Sequence, residues 1–268
     1  MKSGRLFTRT CCLLGFLLST ACGSRTEKAS PDYAEFKMIV RLLPDHQKDI
    51  AIREELLQAL KKYPDFCDEV WLCMEFETFS KEAHKESARA MAVAAERLRN
   101  AGIGVSIQGI TLGHGDDFES GAARPHPELT WGNIVDARNV RTVTSSCPRQ
   151  QAFHDYLGET YALYAGLCRP SCVWLDDDLR VTYHAPARQL CFCDTCLSLF
   201  NRQQGERWTR ETLVEALDRN EGEGRLRRQW ISFCQQSLAE VARTVARAVH
   251  EVSPGTRMGL QHANFHRE

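Results

Sequence analysis

Short apolar runs alternate with stretches in which apolar side chains recur every three or four positions, and the alternation persists along most of the chain. Residues 36–43 (FKMIVRLL) predict a strand that Pro44 stops. Asp45 then caps a helix with Ile52, Leu56, Leu57 and Leu60 on one face, ended by Pro64. A second strand, residues 69–74, runs into the polar tip Glu75-Phe76-Glu77. Ser80 opens the next helix, which shows Met91, Ala94, Ala95 and Leu98 on one face and has Gly102 just past its end. Residues 104–110 form a third strand with another polar tip, His114, Asp116 and Asp117.

Residues 113–146 read as a long loop punctuated by Gly, Pro and Asn, with Trp131 exposed in its middle; loops of this length in a compact domain are usually functional. Cys147-Pro148 leads into a helix from about 149 to 167, where Phe153, Tyr156, Leu157, Tyr161 and Tyr164 repeat at helical spacing. The fourth strand, 172–175, breaks into Asp176, Asp177 and Asp178, and a loop at 185–201 carries Cys191, Cys193 and Cys196. A short helix at 209–219 and a long one at 226–252 follow. The long helix has Trp230, Phe233, Leu238, Val241, Val245 and Val249 on one face, and 258–262 is a fifth strand.

Strand alternating with helix predicts a parallel α/β sheet with right-handed crossovers. A doubly wound sheet wants a Gly-rich phosphate turn after its first strand, and Leu43-Pro44-Asp45-His46 is not one. Acid-rich tips behind successive strands instead match the (β/α)8 TIM-barrel type, whose chemistry lies at that face. About five βα units are present where closure needs eight. The expectation is therefore an incomplete barrel, part of a longer protein, with no internal repeat to close it.

The N-terminus adds an address. Lys2, Arg5 and Arg9 precede the apolar run 11–18, too short to span a bilayer, so residues 1–22 read as an export signal. Small residues before Cys22 resemble a bacterial lipoprotein processing site, with Cys22 as the lipidation position; the simpler alternative is an ordinary cysteine in a conventional signal. Residues 23–33 read as a tether and 34–268 as the partial barrel domain. This places the protein outside the cytoplasm, anchored to a membrane. A net charge of −1 without a long basic run argues against a nucleic-acid partner. A homo-oligomer is compatible with all of this.

Of twelve cysteines, nine remain once Cys11, Cys12 and Cys22 are set aside, an odd number for complete pairing. Cys191, Cys193 and Cys196 offer three thiolates to a structural zinc that wants four. The fourth candidates are Cys147, His184, Cys168 and Cys172, with Cys147 preferred because it belongs to the same barrel face. Disulfides are the alternative for the triplet, and Cys73 and Cys234 read as small buried hydrophobes.

Asp176 and Asp178 would share one strand face and Asp177 the other, if the strand persists that far. Crowding in a partly desolvated mouth could hold one of these carboxyl groups protonated as a general acid, with Arg180 holding another ionised. A solvated acidic turn or a calcium site is the plainer reading. Glycoside cleavage needs a second carboxyl group, for which Glu75 and Glu77, or Asp116 and Asp117, are available. Trp131, Trp208 and Trp71 could stack on a sugar, although Trp71, inside a strand, reads as core. His114 and His262 complete the candidate substrate contacts.

Cys147-Pro148, the Tyr-rich helix, 173–178 (VWLDDD) and 191–200 (CFCDTCLSLF) together resemble the glycoside hydrolase family 42 β-galactosidases and their barrel relatives. The resemblance is specific over about 146–201. It implies a structural zinc on Cys147, Cys191, Cys193 and Cys196, and a carbohydrate substrate. That family ends its fourth strand in Asn-Glu, the Glu being the acid/base, where this chain has Asp-Asp-Asp; Asp177 or Asp178 is the nearest match. Its nucleophile, a glutamate on the seventh strand, falls outside the five units. A non-cleaving carbohydrate binder, or a metal-dependent hydrolase using Asp176–Asp178 and His184, are the competing expectations.

Overall fold

The computed structural model describes residues 38–63, 67–76, 78–113, 129–180, 182–184, 187–189, 191–219 and 224–261. In chain order the elements are β1 (Ile39–Leu42), α1 (Pro44–Lys48), α2 (Ile50–Lys62), β2 (Glu69–Cys73), α3 (Lys81–Asn100) and β3 (Gly104–Gly109). A hairpin of β4 (Asn133–Val135) and β5 (Arg141–Ser146) precedes α4 (Gln151–Cys168) and β6 (Cys172–Leu175). Then come β7 (Thr182–His184), β8 (Ala187–Gln189), α5 (Asp194–Gln204), α6 (Arg210–Arg219), α7 (Arg225–Val252) and β9 (Arg257–Leu260).

Strands β1, β2, β3, β6 and β9 form one all-parallel sheet in strict chain order. That order decides the winding. Right-handed crossovers that always step the same way place every crossover helix on the same side of the sheet. A doubly wound sheet reverses direction and puts helices on both sides. Here α4 packs against both α3 and α7, as neighbours in one helical layer should. The architecture is that of consecutive units of a (β/α)8 barrel.

The two sheet faces have opposite chemistry, which follows from the two-residue period of a strand. Val70, Leu72, Val105, Ile107, Val173 and Leu175 enter the hydrophobic core with Ala88, Met91, Leu157 and Tyr161 of the helices. The alternate residues face the inside of the sheet and are mostly polar. Arg41 Nε reaches Cys73 Sγ at 3.3 Å, Cys73 Sγ reaches Gln108 Oε1 at 3.2 Å, and Gln108 donates to Gln261. Ser106 donates to Glu69. Trp71 and Trp174 stack on this face with centroids 4.7 Å apart, so Trp71 belongs to the inside of the sheet and not to the helix-covered core. Trp174 lies so close over β9 that any side chain at Gly259 would meet its ring.

Four local expectations are corrected. The helix expected from Asp45 is two helices: α1 ends at Lys48, and Asp49 caps α2 by accepting from Ala51 N (2.8 Å) and Ile52 N (3.2 Å). This fresh start turns Ile52 outward, 38% exposed, while Leu57 and Leu60 face the core. The long loop contains the β4–β5 hairpin. Its turn is built by Asp136, whose Oδ1 accepts from Arg138 N and Val140 N, both at 2.9 Å, with Asn139 at φ 65°. The cysteine loop is largely structured as well, by β7–β8 and by α5, which starts directly after Cys193 and carries Cys196. Finally, Trp131 is half-buried, not exposed, and donates from Nε1 to Ser146 Oγ at 2.8 Å. No described helix is long and apolar enough to cross a membrane.

Candidate functional site

The four cysteines expected to hold a metal converge. The sulfurs of Cys147, Cys191, Cys193 and Cys196 all lie within 4.8 Å of one another, and all four residues are buried. Cys147 Sγ is 3.5 Å from both Cys193 Sγ and Cys196 Sγ. A disulfide would bring a pair to about 2.05 Å, and all four are free thiols. A tetrahedron with sulfur about 2.3 Å from its centre has edges of about 3.8 Å. The arrangement fits a tetrahedral thiolate centre.

Separate elements deliver these ligands. Cys147 follows β5 and precedes α4, held by its amide on Gly132 O (3.0 Å). Phe192 N donates to Val135 O at 2.7 Å, which ties the cysteine segment to β4, and Val135 N points at Cys191 Sγ at 3.4 Å. Cys193 and Cys196 enter the first turn of α5, where the helix dipole favours negative charge. Below lies an aromatic floor: Phe192 on Trp230 (4.6 Å), and Phe200 against Trp230 and Phe233.

Crowding and burial act on the four thiols unequally. Hydrogen bonds from the Cys147, Cys191 and Cys196 thiols pull Cys193 far below the usual thiol range. Cys147 and Cys196 are pushed well above it, first by neighbouring cysteines and then by burial. A central divalent cation is what lets four thiolates coexist.

The other fourth-ligand candidates lie elsewhere. Cys168 ends α4, the opposite end of the helix from Cys147, and burial pushes its thiol up to about 12. Cys172 begins β6 at the base of the sheet. His184 lies on β7, and its side chain falls outside the described residues. Cys234 of α7 is buried, as expected, and also packs beside the centre: the Cys191 backbone amide hydrogen-bonds its sulfur. Its helical spacing with Trp230 gave the burial but not that contact.

The aspartates occupy a turn at the C-terminal edge of the sheet. The strand stops at Leu175, so strand alternation does not govern them, yet Asp176 and Asp178 are buried (2% and 1% exposed) and Asp177 is half-exposed. Asp176 Oδ1 accepts from Thr111 N (3.0 Å) and Thr111 Oγ1 (2.7 Å), tying β6 to the turn after β3. Asp178 Oδ1 accepts from Arg180 Nη2 at 2.8 Å, while Arg180 Nη1 stands 3.8 Å from Asp177 Oδ2. Three adjacent identical residues thus have three different surroundings.

Glu75 is buried (9% exposed) just beyond β2. Its amide donates to Tyr164 Oη at 3.3 Å, and that oxygen also meets His84 Nδ1 at 3.2 Å. His84 Nε2 meets Tyr156 Oη at 2.8 Å. Burial lowers the His84 pKa, although the Glu75 charge pulls the other way. Sequence periodicity gave the Tyr residues as core and did not show this buried polar chain. Trp131 stacks on Tyr156 at 5.0 Å. Trp208 packs half-buried against the core, its amide on Asn201 Oδ1 at 2.8 Å. Cys22, Glu77, His114, Asp116, Asp117 and His262 lie outside the described residues.

No family model matches the chain, and no curated protein sequence matches it. In fold it is similar to the catalytic domain of beta-amylase from Paenibacillus polymyxa, with TM-score 0.53 and 14% identity, over 84% of this chain and 65% of that one. It is also similar to alpha-L-fucosidase isoenzyme 2 from Paenibacillus thiaminolyticus, with TM-score 0.50 and 12% identity, over 85% of this chain and 32% of that one. The chain therefore spans less than two thirds of either. The likeness establishes the fold, that of a TIM barrel.

Proposed function

We propose that this chain belongs to an exported barrel protein of glycoside hydrolase type that binds and cleaves carbohydrate, with β-galactosides as the first substrate class to test. The observation that carries the reading is the Asp176–Arg180 turn at the C-terminal edge of a singly wound sheet. There Asp177 is the one aspartate of the triplet left half-exposed, beside an arginine.

In this reading Asp177 is the acid/base and Asp178 its alternate. Asp176 is a positioning residue, because its carboxylate holds Thr111. The second carboxyl group that glycoside cleavage requires comes from another strand end. The guanidinium of Arg180 against Asp178 disfavours a cation held by the triplet, since it puts a positive charge where the metal would go.

The four cysteines hold zinc in this reading. Their four sulfurs complete a tetrahedron and leave no position for substrate, so the ion fastens the hairpin, α4 and α5 together and takes no part in turnover. Cys22 carries the lipid that anchors the protein outside the cytoplasm, and Cys22→Ala should move it from the membrane to the soluble fraction.

Purified protein is assayed on nitrophenyl β-galactoside and a panel of other aryl glycosides, with metal content measured in parallel. Asp177→Asn should lower kcat about a hundredfold or more with zinc unchanged at about one per chain. Full activity in Asp177→Asn would overturn the acid/base assignment. Saturable sugar binding without cleavage by the wild type would instead identify a non-cleaving binder.

A further inference from the structure

An aromatic groove shares no residue with either the cysteine centre or the aspartate turn. It lies between the N-terminal ends of α3 and α4: its floor is Phe79, Trp131 and Tyr156, and its rim carries Lys81, Asp155 and Glu159.

 The groove between α3 and α4 measures ≈ 730 Å³ and is lined by three rings. That volume falls within the usual range of small-molecule sites, about 300–1,000 Å³.

The floor is fixed in advance. Trp131 is held by its Nε1 bond to Ser146 (2.8 Å), backed by buried Phe153 (5.6 Å), and joined by Tyr156 (5.0 Å) and by Phe79 edge-on (5.5 Å). Phe153 is fully buried, whereas Phe79, Trp131 and Tyr156 stay half-buried and border the open cavity. Above them Lys81 of α3 reaches across to Glu159 of α4, both side chains more than 60% exposed, and Asp155 lies one turn before Glu159. A rigid apolar floor under a rim of mixed donors and acceptors suits a ring that has a C–H face and a hydroxyl edge. The rim's two carboxylates against one ammonium disfavour an anionic ligand. We propose that this groove is a binding site for a neutral sugar, separate from the aspartate turn.

The intact chain is titrated with methyl β-D-galactopyranoside, maltotriose and cellotriose, followed by tryptophan fluorescence and calorimetry. At least one sugar should saturate. The double variant Asp155→Asn/Glu159→Gln should weaken it about tenfold, the loss expected from a charge-assisted hydrogen bond. Trp131→Phe should remove most of the fluorescence response, and Asp177→Asn should bind like the wild type. Melting curves of the rim variant should overlay the wild type, since both rim carboxylates are exposed. The proposal is overturned by the absence of saturation with all three sugars. It is equally overturned by binding that the rim variant leaves unchanged, or by binding that Asp177→Asn abolishes.

Discussion

The cysteine centre and the aspartate turn lie close together in the sequence and are organised in opposite ways. The centre gathers four like side chains into one place, so that each loses its separate character: one thiol is pulled down while two are pushed up by the same contacts. The turn takes three like side chains and separates them. Asp176 holds the β3 turn, Asp178 pairs with Arg180, and Asp177 faces partly outward. The difference teaches that a cluster of identical residues is one device only when the backbone points the side chains at a common centre.

Breaking the centre should have the largest effect. Cys193→Ser leaves three buried thiols around a site that no longer closes, and metal binding in such a site is folding energy. We expect a loss of at least about 4 kcal/mol, roughly 10 °C in Tm, together with loss of bound metal. A variant that keeps both its metal and its melting temperature would end the comparison. Next comes Asp176→Ala, which leaves the buried amide and hydroxyl of Thr111 without their acceptor. Urea unfolding should show a cost of about 2–3 kcal/mol with metal content unchanged.

The sequence made the centre legible and the turn only partly so, for a physical reason. Metal ligands are constrained in spacing as well as type, so Cys191, Cys193 and Cys196 announced themselves, and Cys147 followed from its place at the same barrel face. The parallel strands were equally legible, because helix-facing Val70, Leu72, Val105 and Ile107 make short apolar runs. What stayed hidden depends on partners far away in the chain. Asp176 is a tie because Thr111 is opposite it, and His84 is polar core because Tyr156 and Tyr164 meet its two nitrogens. The β4–β5 hairpin is hidden because its turn is made by Asp136 and a left-handed Asn139, without the glycine that usually marks one. Segment α5 is hidden because only Leu197 and Phe200 accompany Cys196 on its buried face, too short an apolar pattern to mark a helix.

His84 offers a smaller, pH-dependent test of a region that belongs to neither device. Burial lowers its folded pKa below the ordinary value of about 6.5, with Glu75 opposing. The unfolded chain therefore binds a proton that the folded protein refuses. This contribution to stability is intact above about pH 6.5 and declines as pH falls from there towards the lowered folded value, by at most about 1.4 kcal/mol per pH unit. His84→Gln should flatten the stability profile below about pH 6.5. An unchanged profile would remove His84 as the cause.

The smallest effect on stability is expected at Asp177, and there smallness is the informative result. Its side chain is 38% exposed, and its nearest cation, Arg180, is 3.8 Å away and already bonded to Asp178. Replacing the carboxylate with an amide of the same shape removes only a weak, solvent-screened attraction, so Asp177→Asn should stay within about 0.5 kcal/mol of the wild type. Asp178→Asn should cost more, because it weakens a buried pairing and leaves the Arg180 guanidinium facing a neutral group. If Asp177→Asn melts like the wild type yet loses turnover, the carboxylate serves chemistry and not the fold. If it proves as destabilising as Asp176→Ala, the triplet is a single structural tie, and the contrast with the cysteine centre disappears.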